Sequence, residues 1–320
     1  MIVVTGAAGF IGSCMVSKLN QMGHSNIIAV DSLKCSGKWR NLRHLAFSDY
    51  LDKGQLFPFL DEGPKLEAII HMGACSATTE RDADYLMANN YRYTLGLAEH
   101  CLANGVRFIY ASSAATYGSG ELGYQDSEPE LHQLRPLNMY GYSKQLFDLK
   151  AHRMGWFDRM VGLKFFNVYG PNEYHKGDMT SVVYKAFGQI AGQGKVRLFK
   201  SHREGYADGE QLRDFVYVKD VVEAMAFLLE TPSVNGLFNL GYGEARSFKD
   251  LALATFAAMD RPPNIEYFDM PEALRGKYQY YTCADMKKLK AAGFDRKCHS
   301  LEEGVADYVR HYLAKGEAPY

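Results

Sequence analysis

The sequence predicts an α/β chain: a Rossmann-type doubly wound parallel sheet followed by a smaller mixed α/β region. Three observations predict it. A glycine turn, Gly6-Ala7-Ala8-Gly9-Phe10-Ile11-Gly12, stands between a short β-branched run and a segment of helical period. Short apolar runs then alternate with helical stretches as far as residue 170, the pattern of a parallel sheet covered by helices on both faces. Beyond 170 the pattern loosens. The expected division is a first domain over 1–170 and a second region over 171–320, with chain crossing between them.

The elements follow in order. Ile2-Val3-Val4 make a first strand, because β-branched side chains suit a pleated sheet. Ile11, Met15 and Leu19 recur at helical spacing, so a helix runs over 11–22. Asn26 to Val30 is a second apolar run, closed by Asp31, and Glu67 to His71 reads as a further buried strand. A helix over 85–104, a strand over 107–111, a helix over 139–153 and a strand over 161–166 complete the first half. Later apolar runs at 196–199, 215–218 and 237–240 are separated by helical stretches near 180–192, 220–229 and 247–259. Two short helices are expected near 284–292 and 301–314. Gly and charge are dense over 202–211, which reads as an exposed loop.

Composition narrows the function classes. The 320 residues are 47% hydrophobic and 23% charged, ordinary for a globular chain with a large core. Thirty-six basic against 37 acidic residues leave a net charge of −1, and no basic run is sustained. Nucleic acid and anionic membrane surfaces are therefore not expected partners. No apolar run approaches the ~18 residues of a membrane span. The first strand begins at Ile2, so the expectation is a cytoplasmic chain without a signal peptide. Six scattered cysteines without a C-x-x-C pair suit free thiols in a reducing compartment, and no metal site is expected.

The glycine turn carries the first chemical signal. Between a strand and a helix, it lets the backbone approach a pyrophosphate while the helix N-terminus offers free N–H groups. Gly6, Gly9 and Gly12 are the positions that open it. Asp31, 19 residues after Gly12 at the end of the second strand, suits a ribose 2′-hydroxyl and so NAD. Lys34, Lys38 and Arg40 follow closely and suit a 2′-phosphate. NAD and NADP both stay open on these residues alone.

The second signal is Ala111-Ser112-Ser113-Ala114-Ala115-Thr116-Tyr117-Gly118, directly after a strand. Ligands of open parallel sheets bind beyond the carboxyl ends of the strands, so Ser113 faces that crevice. The third is Tyr140 and Lys144, four apart and so on one helix face about 6 Å apart along the axis. A phenol with a pKa near ~10 needs a shift of roughly three units, about 4 kcal/mol, to act as a base at neutral pH. A nearby cation favours the phenolate and supplies part of that shift.

TGAAGFIG at 5–12, SSAATYG at 112–118 and YGYSK at 140–144 together resemble the extended short-chain dehydrogenase/reductase superfamily. Ala114 and Ala115 stand where its dehydratases carry an Asp-Glu pair, which disfavours dehydration. Further segments narrow the likeness: Met72-Gly73-Ala74-Cys75-Ser76-Ala77-Thr78-Thr79-Glu80, Phe165 to Pro171, His175-Lys176-Gly177-Asp178-Met179, Arg213 to Val218 and Gly276-Lys277-Tyr278-Gln279. With these the chain is similar, over nearly its whole length, to the ADP-glyceromanno-heptose 6-epimerase family.

That resemblance implies a nucleotide-sugar epimerase of lipopolysaccharide inner-core precursor synthesis. It would oxidise C6 of the heptose with one bound NADP per subunit and return the hydride to the opposite face. It implies Tyr140 as acid/base, Lys144 lowering its pKa and holding the nicotinamide ribose, Ser113 orienting substrate, and Lys176 as the second acid/base. Phe10, Ile11, Asp31, Ser32, Lys38, Lys53, Met72, Gly73, Ala74, Cys75, Ser76, Asn89, Lys144, Val168 and Lys176 would touch cofactor. Lys38 and Lys53 would take the 2′-phosphate, which tips the choice to NADP over NAD. Ser113, Asn167, Asp178, Lys185, Phe199, Lys200, Ser201, His202, Arg213 and Tyr278 would touch the ADP-sugar. It also implies a homo-oligomer, a pentamer in the family. Asp178, Lys185 and Met72 depart from the residues usual in the family, and 203–212 is longer. The alternative is an epimerase or reductase of another nucleotide sugar, such as a UDP-sugar C4 epimerase. A cofactor-sensing protein with a dead site is disfavoured by the presence of both Tyr140 and Lys144.

Overall fold

The structure is a computed structural model and describes every residue except Gly276 and Lys277. Seven strands form the central sheet: β1 (Ile2–Thr5), β2 (Ile27–Asp31), β3 (Asp49–Asp52), β4 (Ala68–His71), β5 (Arg107–Ser113) and β6 (Val161–Phe165), joined by a late strand over Gly236–Leu240. In the sheet they lie in the order β3-β2-β1-β4-β5-β6 and then Gly236–Leu240, and all pairs are parallel. The sheet is buried on both faces, so β1, β2, β4 and β6 are continuous buried runs rather than alternating ones. The chain order reverses between β1 and β4, and this switch opens a crevice at their carboxyl ends.

Helices cover both faces. Phe10–Gln21 packs against Val218–Glu230, while Tyr93–Asn104 and Met139–Arg153 pack on β5. The second region holds two small sheets. β7 (Asn167–Tyr169) pairs in parallel with a strand over Leu212–Tyr217, which pairs antiparallel with Ala245–Ser247. Val196–Phe199 pairs in parallel with Ile265–Phe268. Helices Val182–Gln193 and Phe248–Ala258 cover this second pair around a small core of Ala186, Ile190, Leu198 and Phe256. Because Gly236–Leu240 completes the first sheet, the chain returns to it from well beyond residue 170.

Three short strands carry no sequence signal. Asp49–Asp52 lies at the sheet edge, half to fully exposed, with an acid at each end. Ala245–Ser247 and Ile265–Phe268 are similarly short and largely half-buried. The helix expected over 85–104 is instead Ala83–Leu86, a π-helical stretch Met87–Arg92, and Tyr93–Asn104. π-bulges concentrate at functional positions, and this one contains Asn89 and Asn90. Among the described residues, no helix is long and apolar enough to cross a membrane.

A buried polar network ties helix Met139–Arg153 to β5 and β6. Asp148 accepts from the Tyr110 hydroxyl at 2.7 Å and the Ser112 hydroxyl at 2.7 Å, and meets the Lys164 ammonium at 3.3 Å. Lys164 also donates to the Thr116 hydroxyl at 2.6 Å. All five side chains are buried.

Candidate active site

The glycine turn is shaped by close backbone approach. Gly6 has φ +66°, and a Cβ there would lie 2.7 Å from the Gly73 nitrogen. A Cβ on Gly12 would collide with the Gly6 carbonyl oxygen. The turn closes by Gly9 N–H donating to the Gly6 carbonyl at 2.9 Å. Below it, the Thr5 hydroxyl accepts from Gly73 N–H at 3.1 Å and meets His71 Nδ1 at 2.6 Å, while His71 Nε2 meets the Thr94 hydroxyl at 2.8 Å. Burial and the Lys144 charge push His71 down to about 3, so this tie between β1, β4 and Tyr93–Asn104 stays neutral. A cradle that a single Cβ would fill suits a dinucleotide pyrophosphate.

Asp31 closes β2 as expected, but much of its hydrogen bonding is internal. It accepts from Ala8 N–H at 2.9 Å and Ser32 N–H at 2.6 Å, and pairs with Lys38 at 2.5 Å. The carboxylate thus fastens the glycine turn to β2. Beside it opens a recess of about 220 Å³ lined by Asp31, Ser32, Lys34, Lys38, Lys53, Gly73, Ala74 and Asn89. Lys53 donates to the Asn89 side chain at 2.7 Å. Three lysines against one acid leave this recess positive.

The main cavity, about 520 Å³, runs from the glycine turn along the carboxyl ends of β1, β4 and β5. Gly6, Gly9, Phe10, Ile11, Gly12, Asp31, Lys38, Met72, Gly73, Ala74, Ser76, Ser113, Tyr140, Lys144, Asn167, Val168 and Lys176 all line it. Cys75 sits outside its lining, with its N–H and carbonyl held by the Asn90 side chain at 2.9 Å each. Asn90 also donates to Ser143, whose hydroxyl donates to the Tyr140 carbonyl at 2.7 Å. The π-helical stretch therefore braces the helix bearing Tyr140 and Lys144. Asn138 caps that helix, accepting from Gly141 N–H at 2.8 Å, which fixes where the first turn begins.

Tyr140 is half-buried; Lys144 is buried, with 3% of its surface exposed. Lys144 donates to the Ala111 carbonyl at 2.7 Å, and burial pulls its ammonium down to about 8 against the opposing charge of Asp148. Burial pushes the Tyr140 phenol above its ordinary value, and the Ser113 hydroxyl pulls it part of the way back. The direction is opposite to the one expected from the Lys144 spacing, because removal of the phenolate from water dominates.

Lys176 enters from the other side, on the segment Tyr174–Met179 that follows β7. Its ammonium lies 5.0 Å from the centre of the Phe10 ring. Burial lowers its pKa, Glu173 opposes this, and Lys185 adds to it. Phe10 opens the first helix after the glycine turn, so this contact sets a second titratable group against the cofactor cradle. His175, also in the cavity and pulled down to about 4 by burial and by Lys38, was not singled out in the sequence.

The outer substrate residues form a separate cluster. Asp178 and Lys185 are exposed and lie outside the cavity lining, and Lys185 donates to the Asp178 carbonyl at 2.6 Å. Phe199 packs at a tilt against Phe268 at 4.9 Å and meets Tyr278 edge-on at 6.2 Å. Arg213 packs over Tyr278 at 5.1 Å and Phe248 at 5.6 Å, and Phe248 lines the cavity. Arg213 is not paired with its neighbour Asp214, which accepts instead from Tyr242, Gly243 and Ala284 N–H groups. Lys200 pairs with Asp269 at 3.5 Å, Ser201 N–H is held by Asp208, and His202 N–H donates to the Tyr280 hydroxyl at 3.1 Å. Gly276 and Lys277 of the last motif lie outside the described residues. Phe215 and Phe248 line the cavity, a role the sequence assigns to neither, since nothing distinguishes a cavity phenylalanine from a core one.

The sequence profile of the NAD dependent epimerase/dehydratase family matches residues 2–241. An ADP-L-glycero-D-manno-heptose-6-epimerase of Nitratidesulfovibrio vulgaris is 57% identical over 320 residues, covering 99% of each chain. The crystal structure of the Helicobacter pylori ADP-L-glycero-D-manno-heptose-6-epimerase superposes with a TM-score of 0.83 at 28% identity, covering 97% of this chain and 95% of that one. A Thermus thermophilus UDP-glucose 4-epimerase complexed with NAD superposes with a TM-score of 0.75 at 27% identity, covering 97% and 98%. The cradle, the Tyr140/Lys144 helix and a match over most of the chain place it in the NAD dependent epimerase/dehydratase family.

Proposed function

We propose that this enzyme inverts C6 of ADP-D-glycero-D-manno-heptose to give the L-glycero epimer, a lipopolysaccharide inner-core precursor. One observation carries the reading: among the titratable groups of a single cavity, Tyr140 and Lys176 come from different elements to the same cofactor cradle. A nicotinamide dinucleotide held by the glycine turn and the lysine recess supplies reversible hydride acceptance. Tyr140 exchanges the proton of the sugar hydroxyl on one side, with Ser113 donating to the same oxygen. Lys176 handles the proton on the other, and Lys144 holds positive charge beside the phenol. Arg213 offers paired donors to the substrate pyrophosphate.

Incubating the folded, cofactor-loaded enzyme with the D-glycero substrate is expected to give a mixture of epimers by proton NMR. No conversion sinks the reading, and preference for a UDP-sugar in a binding competition redirects it. The positive recess of Lys34, Lys38 and Lys53 supports NADP over NAD, and mass analysis of the nucleotide retained on purification decides between them. Family resemblance further supports a homo-pentamer acting in the cytoplasm.

The lowered Lys144 gives a pH prediction. The charged form aids Tyr140, and it is lost on raising pH through about 8 rather than through the ordinary 10.5. The kcat/KM for epimerisation is therefore expected to fall as pH rises through about 8. A profile flat into the ordinary lysine range overturns this role for Lys144.

A further inference from the structure

The loop that carries Lys176 is short and irregular. It includes Gly177 at φ +54°, and inside it Lys176 N–H donates to the Glu173 carbonyl at 3.0 Å and Thr180 N–H to the Gly177 carbonyl at 3.1 Å. The buried Glu173 carboxylate holds its ends, accepting from Gly170 N–H, Ser181 N–H and the Ser181 hydroxyl, and residues 317–320 supply further anchors. The Tyr184 hydroxyl donates to Glu317 at 2.5 Å, the Tyr174 hydroxyl to the Ala318 carbonyl at 2.8 Å, and Tyr320 N–H to the Asn172 side chain at 2.9 Å. All three partners flank Lys176. The segment reaches them through a turn with Gly316 at φ +74° and Glu317 at φ +61°, and Ala318 N–H is fixed on the Tyr312 carbonyl at 3.1 Å.

Asn172 extends the link to the cofactor cradle. It is fully buried at φ +73° and donates to the Ser13 hydroxyl at 2.9 Å, in the helix that Phe10 opens. Its carbonyl accepts from the Asn41 side chain at 3.0 Å, which also donates to the Ala8 carbonyl in the glycine turn at 3.0 Å. The far end of the segment, the Tyr320 carbonyl, lies 3.0 Å from His44 Nε2. The segment thus holds residues on both sides of the Lys176 loop and, through Asn172, joins the network that spaces this loop from the helix of Phe10.

We propose that residues 317–320 are a strap that positions Lys176, so that they govern proton handling on one face of the reacting carbon only. This rests on the assignment of Lys176 as the second acid/base. Among the described residues nothing comparable joins the strap to Tyr140, whose helix is braced by Asn90 and Asn138.

The test measures single-turnover reduction of the bound nicotinamide, by absorbance, on mixing the enzyme with each epimer separately. Ending the chain after Gly316 is expected to slow one epimer on the order of 10²-fold, the scale of a small misplacement of a reacting group. The other epimer should react within about twofold of the original rate, because its proton goes to Tyr140. Tyr174→Phe with Tyr184→Phe, which keeps both rings, is expected to give the same one-sided loss at roughly tenfold, and it decides the matter if the shortened chain does not fold. Lys176→Ala is the reference and should show the same one-sided loss. Equal slowing of both epimers makes the strap a general fold element and overturns the proposal. So do unchanged rates in the strap variants alongside a one-sided loss in Lys176→Ala. If Lys176→Ala leaves both rates unchanged, the assignment of Lys176 itself fails and the strap falls with it.

Discussion

Tyr140→Phe is expected to lower the rate of epimerisation by ~10²- to 10⁴-fold, the usual worth of a positioned acid/base, or about 3–5 kcal/mol of barrier. The substitution removes only the phenolic oxygen and leaves a ring of the same shape on the cavity wall. Retention of the cofactor is expected to be unchanged, because the glycine turn and the lysine recess make that grip. Substrate binding should change little, since the aromatic and Arg213 cluster lies beyond Tyr140. The measurement pairs rates followed by proton NMR with the nucleotide content of the purified variant. A loss under about tenfold with cofactor retained refutes the assigned role. Because burial raises the phenol, the proton leaves it reluctantly unless positive charge is close. The phenol is therefore protonated at rest, and positive charge from Lys144 eases loss of that proton.

The second large effect is on stability. Asp148→Ala is expected to cost about 3–5 kcal/mol, the cost of breaking a buried ion pair from one side. It leaves the Lys164 ammonium buried with the Thr116 hydroxyl as its remaining hydrogen-bond partner, and strands the Tyr110 and Ser112 hydroxyls. Burial already lowers Lys164, and Asp148 is the main group holding it up. Without Asp148 the lysine sheds its proton more easily, so the loss should shrink as pH rises. Denaturant unfolding at several pH values measures both effects. Replacing Asp148 by Leu and Lys164 by Met together should recover the part of the loss due to the unpaired lysine, while the Tyr110 and Ser112 hydroxyls stay without Asp148. A cost under about 1 kcal/mol for Asp148→Ala overturns the account. Asp148 also holds Lys144 up, so the high-pH fall in activity should move to lower pH in this variant.

Much of the fold could be read directly. Strands of the parallel core are buried on both faces, so each appears as an unbroken apolar run, and the helices between them keep a visible period. Asp49–Asp52 and Ile265–Phe268 escaped because a half-exposed strand carries no apolar signature. The glycine turn, Ser113 and Tyr140/Lys144 were legible because each is set by local spacing within one strand, turn or helix. Lys176 was legible only by resemblance, since a lysine in a glycine loop carries no local mark of function.

By itself, the sequence determined the dinucleotide cradle, the Tyr140/Lys144 face and the family, because those depend on residues close in the chain. Tertiary structure alone decided which distant groups meet. It turned Asp214 away from Arg213 and onto backbone amides, and gave Asp31 a structural task at the glycine turn. It pushed Tyr140 up rather than down, because burial is a property of the packed chain. It set Lys176 on Phe10 and placed residues 317–320 against its loop. Those contacts join segments more than a hundred residues apart, and no local pattern encodes them.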